Sequence, residues 1–115
     1  MKLHANTTEG SKGLLFKKKV WLFSARLELT PEELQLADLD PTVRKKTIAT
    51  GIFGGMEIAT TVNMLLKPEG LSNYQFDTLA NQTSFEKELR EGCAALKDHI
   101  SRLGQVRSGP TTTEF

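Results

Sequence analysis

The chain has 115 residues, 38% hydrophobic and 25% charged, with 15 basic against 14 acidic side chains and a net charge of +1. That length serves one modest core and not two. A near-neutral balance lacks the strong basic excess that by itself marks partners of nucleic acids or anionic membranes, although residues 1–50 carry nine basic against six acidic side chains and residues 51–115 six against eight.

Residues 1–13 (MKLHANTTEGSKG) are polar and carry no sustained apolar period, so they are expected to form a flexible N-terminal tail. No apolar run follows the first lysine and none elsewhere reaches the length of a bilayer span. The single cysteine, Cys93, excludes an internal disulfide. These features predict a cytoplasmic protein with no membrane partner.

From Leu14 to Leu29 the chain reads LLFKKKVWLFSARLEL. Trp21, Phe23, Ala25, Leu27 and Leu29 share one parity, while Ser24, Arg26 and Glu28 share the other, which predicts a half-buried strand. Thr30, Pro31 and Glu33 then form a capping signature for a short helix over 31–38, and Asp40-Pro41 ends it. Thr47–Phe53 and Met56–Lys67 flank Gly54-Gly55. A phosphate-binding loop needs a helix N-terminus behind its glycines. Here the alternation Met56, Ile58, Val62, Met64, Leu66 predicts a second strand, so the glycines are read as a hairpin turn.

Residues 71–80 (LSNYQFDTLA) are ambiguous, with one or two helical turns as the expectation. A long amphipathic helix is predicted from Thr83 or Ser84, with Phe85, Leu89, Cys93, Leu96, Ile100 and Leu103 on one stripe and Gly104 as its stop. Glu86/Arg90, Lys87/Glu91 and Asp98/Arg102 lie on the opposite face at i,i+4 spacing. That face mixes acids and bases, unlike the Lys- and Arg-rich face of a helix lying on a membrane. Residues 104–115 are expected to form a flexible tail.

No catalytic constellation emerges from the sequence. Cys93 and His99 are six helical positions apart, about a third of a turn around the axis and 9 Å along it, too far for a nucleophile and its base. Two histidines and one cysteine at distant positions do not supply a metal site, and no cofactor is expected. An enzyme is therefore not predicted.

The stretch FKKKVWLFSAR has the most functional character. Lysines beside aromatic residues on a strand resemble the charged stacking surfaces of single-stranded nucleic-acid binders. The residues of that reading are Lys17, Lys18, Lys19, Trp21 and Arg26, with Arg44, Lys45 and Lys46 as a second contact. Against it, Leu27 and Leu29 continue the Trp21 face into the expected core.

The sequence thus predicts one α+β domain over residues 14–103. Its parts are a three-stranded, mostly antiparallel sheet (strand, short helix, hairpin) and one long C-terminal helix packed on one face. Such a helix covers only one side of the sheet, leaving Leu14, Phe16, Val20 and Leu22 as the candidate interface. The expected function is a non-enzymatic protein-interaction module that self-associates through that second face or binds another protein. Nucleic-acid binding is the alternative.

Overall fold

The structure is a computed structural model and describes residues 1–53 and 56–108. Five strands and three helices follow in the order β1 (Lys2–Lys12), β2 (Lys18–Glu28), α1 (Pro31–Ala37), β3 (Thr47–Phe53), β4 (Met56–Thr61), α2 (Val62–Leu66), β5 (Leu71–Phe76) and α3 (Leu79–Ser108). A single 3₁₀ turn, Val43–Lys45, precedes β3. The predicted α+β class, three-stranded antiparallel sheet and long C-terminal helix are present.

The strands that make the sheet differ from those predicted. The three-stranded sheet has the order β1-β2-β5, whereas β3 and β4 pair with each other as a separate two-stranded sheet. Residues 2–12 form an edge strand instead of a flexible tail. They pair with β2 in an unbroken antiparallel register from Lys2 opposite Glu28 to Lys12 opposite Lys18. Leu3 and Ala5 pack against the core, and Thr7 Oγ1 accepts a hydrogen bond from Gln82 Nε2 at 3.0 Å. Two apolar residues and one part-buried hydroxyl contact are too sparse a pattern to announce a strand by themselves.

Residues 71–76 likewise form a strand, β5, instead of helical turns. Trp21 lies opposite Phe76, Phe23 opposite Tyr74 and Ala25 opposite Leu71, with an irregularity between Phe23 and Ala25. Ser24 Oγ accepts from the Asn73 amide there at 2.9 Å. Gly70 (φ +56°) enters the strand so close to the Ala25 carbonyl that a Cβ would collide with it.

The predicted strand over 56–67 breaks at Thr61, whose hydroxyl accepts from the Met64 amide at 3.4 Å and opens α2. Val62 and Leu65 are both fully buried at i,i+3 spacing, so the apolar signal there is helical. The Gly54-Gly55 turn lies outside the described residues, but β3 and β4 pair up to Phe53 opposite Met56.

The local signals for α1 behave as predicted. The Thr30 amide donates to Glu33 Oε1 at 2.9 Å, and the Glu33 amide donates to Thr30 Oγ1 at 3.1 Å. Helix α3 starts at Leu79, earlier than predicted, with the Asn81 amide donating to Thr78 Oγ1 at 3.1 Å. Its predicted stripe is buried at Phe85, Leu89, Cys93, Leu96 and Ile100. Gly104 does not stop the helix, which continues to Ser108, leaving only residues 109–115 of the expected tail outside the description. Gly104 lies against Leu36 of α1 instead.

Two contacts fix α3 along β3. A Cβ on Gly92 would lie 2.5 Å from the Ile48 carbonyl oxygen, and the Thr50 amide donates to Glu88 Oε1 at 3.1 Å. Helix and strand backbones therefore touch, and a free strand amide finds its acceptor on the helix. Alanine is a better helix former than glycine by about 1 kcal/mol. Gly92→Ala is nonetheless expected to destabilise the protein by about 1–3 kcal/mol, because the obstacle is backbone and cannot swing aside. Thermal unfolding checks this, and a variant at least as stable as the parent rules out the close approach.

Candidate docking surface

Beyond Trp21 opposite Phe76, β2 has no partner in β5. The last rungs of β1 and β2, to Lys12 opposite Lys18, therefore project about 10 Å past the rest of the sheet as a two-stranded ribbon. Its connection turns at Gly13 (φ +105°), where a Cβ would meet the Phe16 carbonyl oxygen. Leu14, Leu15 and Phe16 follow with 100%, 90% and 89% of their surface exposed.

The second hairpin ends at the same end of the molecule. β3 runs up α3 from Ile48 at Gly92, through Thr50 at Glu88, to Ile52 beside Asn81 and Ser84. Ile52, Met56 and Leu79, the first residue of α3, are all half or more exposed. Of the seven large hydrophobic residues exposed among the described residues, only Leu39 lies elsewhere. A cleft of about 420 Å³ separates β3 and β4 from the start of α3, floored by Phe76 and Phe85 and edged by Glu57 and Glu88.

Lysines surround the first tip. Lys12 Nζ lies 2.6 Å from Asp77 Oδ1, and Lys19 Nζ lies 3.8 Å from Glu9 Oε1. The hydrogen bond from Lys12 holds the Asp77 carboxyl below the usual aspartate range. Among the described residues Lys17 makes no direct ion pair, and Lys18 acts on Asp77 only from a distance. Two cations with no direct ion pair among the described residues thus stand directly behind an exposed Leu-Leu-Phe turn.

This arrangement redistributes the residues predicted as sites. Leu14 and Phe16 are exposed, but on the tip of the ribbon and not on the second face of the sheet. On that face Val20 is only 2% exposed, lying over Gly10 together with a half-buried Leu22. Its neighbours His4, Asn6 and Thr8 are exposed and polar. The predicted four-residue interface therefore does not form one surface: Val20 is already covered by its own chain, and the face it shares is wet.

The basic residues divide too. Lys17, Lys18 and Lys19 flank the tip, while Trp21 is half-buried within the ladder between Glu9 and Phe76. Arg26 lies opposite His4, near the other end of β2. Arg44 pairs with Asp38 at 2.9 Å, beside exposed Lys45 and Lys46. Helix α3 serves as a ruler: Gln82 touches Thr7, and His99 touches Asp40 seventeen residues later, about 26 Å away. The two basic clusters lie toward opposite ends and do not form one patch.

Leu15, Ile52, Met56 and Leu79 were not singled out by the sequence. For Leu15, Ile52 and Met56 the one signal is an apolar residue within two positions of a glycine, Gly13 or Gly54-Gly55; Leu79 carries none.

Away from this end, Cys93 is buried, and that burial pushes its thiol above the ordinary range. His99 Nε2 lies 3.3 Å from Asp40 Oδ2. Among the described residues no three His, Cys, Asp or Glu side chains gather as a metal site, and no helix is long and apolar enough to cross a membrane. Comparisons with protein families, curated proteins and solved structures find no match to this chain.

The Asp40 carboxyl is held low first by the Thr42 hydroxyl at 2.8 Å, then by the Thr42 amide at 3.0 Å and by His99. A carboxyl whose value is depressed on folding stabilises the fold at pH above its unfolded value and loses that contribution as the pH falls through the folded one. Asp40→Asn should therefore melt below the parent at neutral pH, with the gap closing as the medium is acidified below the ordinary aspartate range. A gap constant across that range means that Asp40 acts without its charge.

Proposed function

We propose that the protein is a non-enzymatic interaction module whose working surface is the end carrying the Leu14-Leu15-Phe16 tip and the last paired rungs of β3 and β4. The observation that supports this reading is the near-complete exposure of Leu14, Leu15 and Phe16. Fully exposed aliphatic and aromatic side chains in a row contribute nothing to the fold and remain in contact with water at a free-energy cost unless a partner covers them. The same end holds Ile52, Met56 and Leu79, so the apolar area is collected and not scattered. Cys93 is buried and His99 is paired with Asp40, so this thiol and this imidazole do not stand side by side, which favours docking over catalysis. A cytoplasmic setting belongs to the same reading, on the strength of the single unpaired cysteine.

The proposed surface replaces the second sheet face. Self-association tip to tip is disfavoured, because it would bring Lys17 and Lys18 of two copies together. Nucleic-acid binding through Lys17, Lys18 and Lys19 is a second reading, favoured by their clustering. Its stacking platform is weak, since Trp21 is held in the ladder and the tip presents two leucines for one aromatic ring.

Binding of the dye 8-anilinonaphthalene-1-sulfonate to the native protein tests the surface. The parent should enhance the dye's emission. The triple variant Leu14→Ser/Leu15→Ser/Phe16→Ser should lose most of that enhancement with an unchanged melting temperature, because these side chains touch no core. Absence of native-state enhancement would remove this end as a docking surface.

A further inference from the structure

We infer that the hairpin end is a membrane-surface anchor, with the Leu14-Leu15-Phe16 turn entering the headgroup boundary of an anionic bilayer and the lysines behind it contacting lipid phosphates. This inference rests on the docking surface proposed above and names its occupant. The sequence-based expectation was of no membrane partner at all; its grounds were the lack of a spanning segment and the mixed charge of helix α3, and neither bears on a hairpin tip.

Order along the ribbon is the first argument. The three most exposed apolar side chains occupy the outermost turn, and Lys12, Lys17, Lys18 and Lys19 form the collar immediately behind them. Interfacial anchors have that sequence of layers: apolar groups sink about 5–10 Å below the phosphates while Lys and Arg remain at their level. The ribbon's projection of about 10 Å supplies the depth without requiring the rest of the domain to enter. A protein groove would need no such collar, and a nucleic acid would leave the leucines in water.

Charge complementarity is the second argument. Asp77 and Glu9 pair with Lys12 and Lys19, while Lys17 and Lys18 make no direct ion pair among the described residues. The collar therefore carries a net positive charge although the whole chain is nearly neutral. The cytoplasmic leaflet is negatively charged and attracts cations placed near its surface.

Geometry of the second hairpin is the third. Ile52, Met56 and Leu79 lie at the same end, behind the projecting tip, and add exposed apolar area there beside Glu57. Neither one acyl chain nor a few basic residues alone suffice for stable attachment, whereas apolar insertion and basic contact act together.

Co-sedimentation with large vesicles tests the inference. The parent should bind vesicles of equal parts phosphatidylcholine and phosphatidylserine, and binding should weaken as salt is added. Phosphatidylcholine alone should hold it far less. Each lysine near the surface contributes about fivefold, so Lys17→Gln/Lys18→Gln/Lys19→Gln should lower partitioning by about 100-fold. Leu14→Ser/Leu15→Ser/Phe16→Ser should lower it by at least about 100-fold. A Phe16→Trp reporter in a Trp21→Phe background should shift its emission to the blue on binding, which adsorption through the lysines alone would not produce.

Absence of binding to the anionic vesicles, or binding that both triple variants retain, overturns the inference. Where vesicle binding fails but the tip still enhances the dye, the docking surface stands and its occupant is a protein. Where vesicles fail and a single-stranded oligonucleotide binds in a salt-reversible manner that the lysine variant abolishes, the occupant is a nucleic acid. Failure of dye and vesicles together removes both readings.

Discussion

Phe23 has no exposed surface, and the two rings that enclose it come from elements far apart in the chain. It meets Phe76 of β5 edge-on at 6.5 Å and Phe85 of α3 edge-on at 5.8 Å, while Phe76 and Phe85 lie 5.3 Å apart. Each such aromatic pair contributes about 0.5–1.5 kcal/mol beyond its buried area. The triad ties the central strand, the last strand and the last helix at one point. Register follows from it, because moving β2 by one residue would carry Phe23, Ala25 and Leu27 to the wet face together.

From that point α3 runs away beneath the rest of the fold and determines what lies where. Gly92 admits β3 to backbone contact, and Glu88 accepts from the Thr50 amide, so the second hairpin is held parallel to the helix and ends where the helix begins. The ribbon of β1 and β2 ends there as well, because β5 stops pairing at Trp21 and leaves the outer rungs unsupported on that side. The ends of two strand pairs distant in sequence thereby share one end of the molecule. Among the described residues one buried side-chain polar atom lacks a hydrogen-bond partner, the Thr60 hydroxyl. It lies in β4 opposite Ala49, away from the exposed end.

Local chemistry was legible where a few neighbouring residues suffice. Thr30 and Glu33 specify their capping box, the stripe from Phe85 to Ile100 specifies the buried side of α3, and the parity of β2 specifies its core face. β1 and β5 were not legible, because an edge strand with polar outer positions takes its regularity from its neighbour's backbone. Met56–Leu66 misled for another reason. Val62, Met64 and Leu66 fit a strand's period as well as Val62 and Leu65 fit a helix's, and only burial of the second pair decides between them.

The amino-acid order by itself determined the α+β class, the apolar stripe of α3 and the cap of α1. Residues 14–17 read as the start of the first strand, since Leu14 and Phe16 share the parity of Val20 and Leu22. Tertiary structure decided otherwise: pairing of β1 with β2 ends at Lys12 and Lys18, which expels residues 13–17 from the sheet. It also decided that Val20 is covered by its own chain, that the two basic clusters stand apart and that both hairpins face the same way. Those outcomes depend on contacts between residues tens of positions apart, such as Thr7 with Gln82 and Asp40 with His99, and no local pattern encodes them.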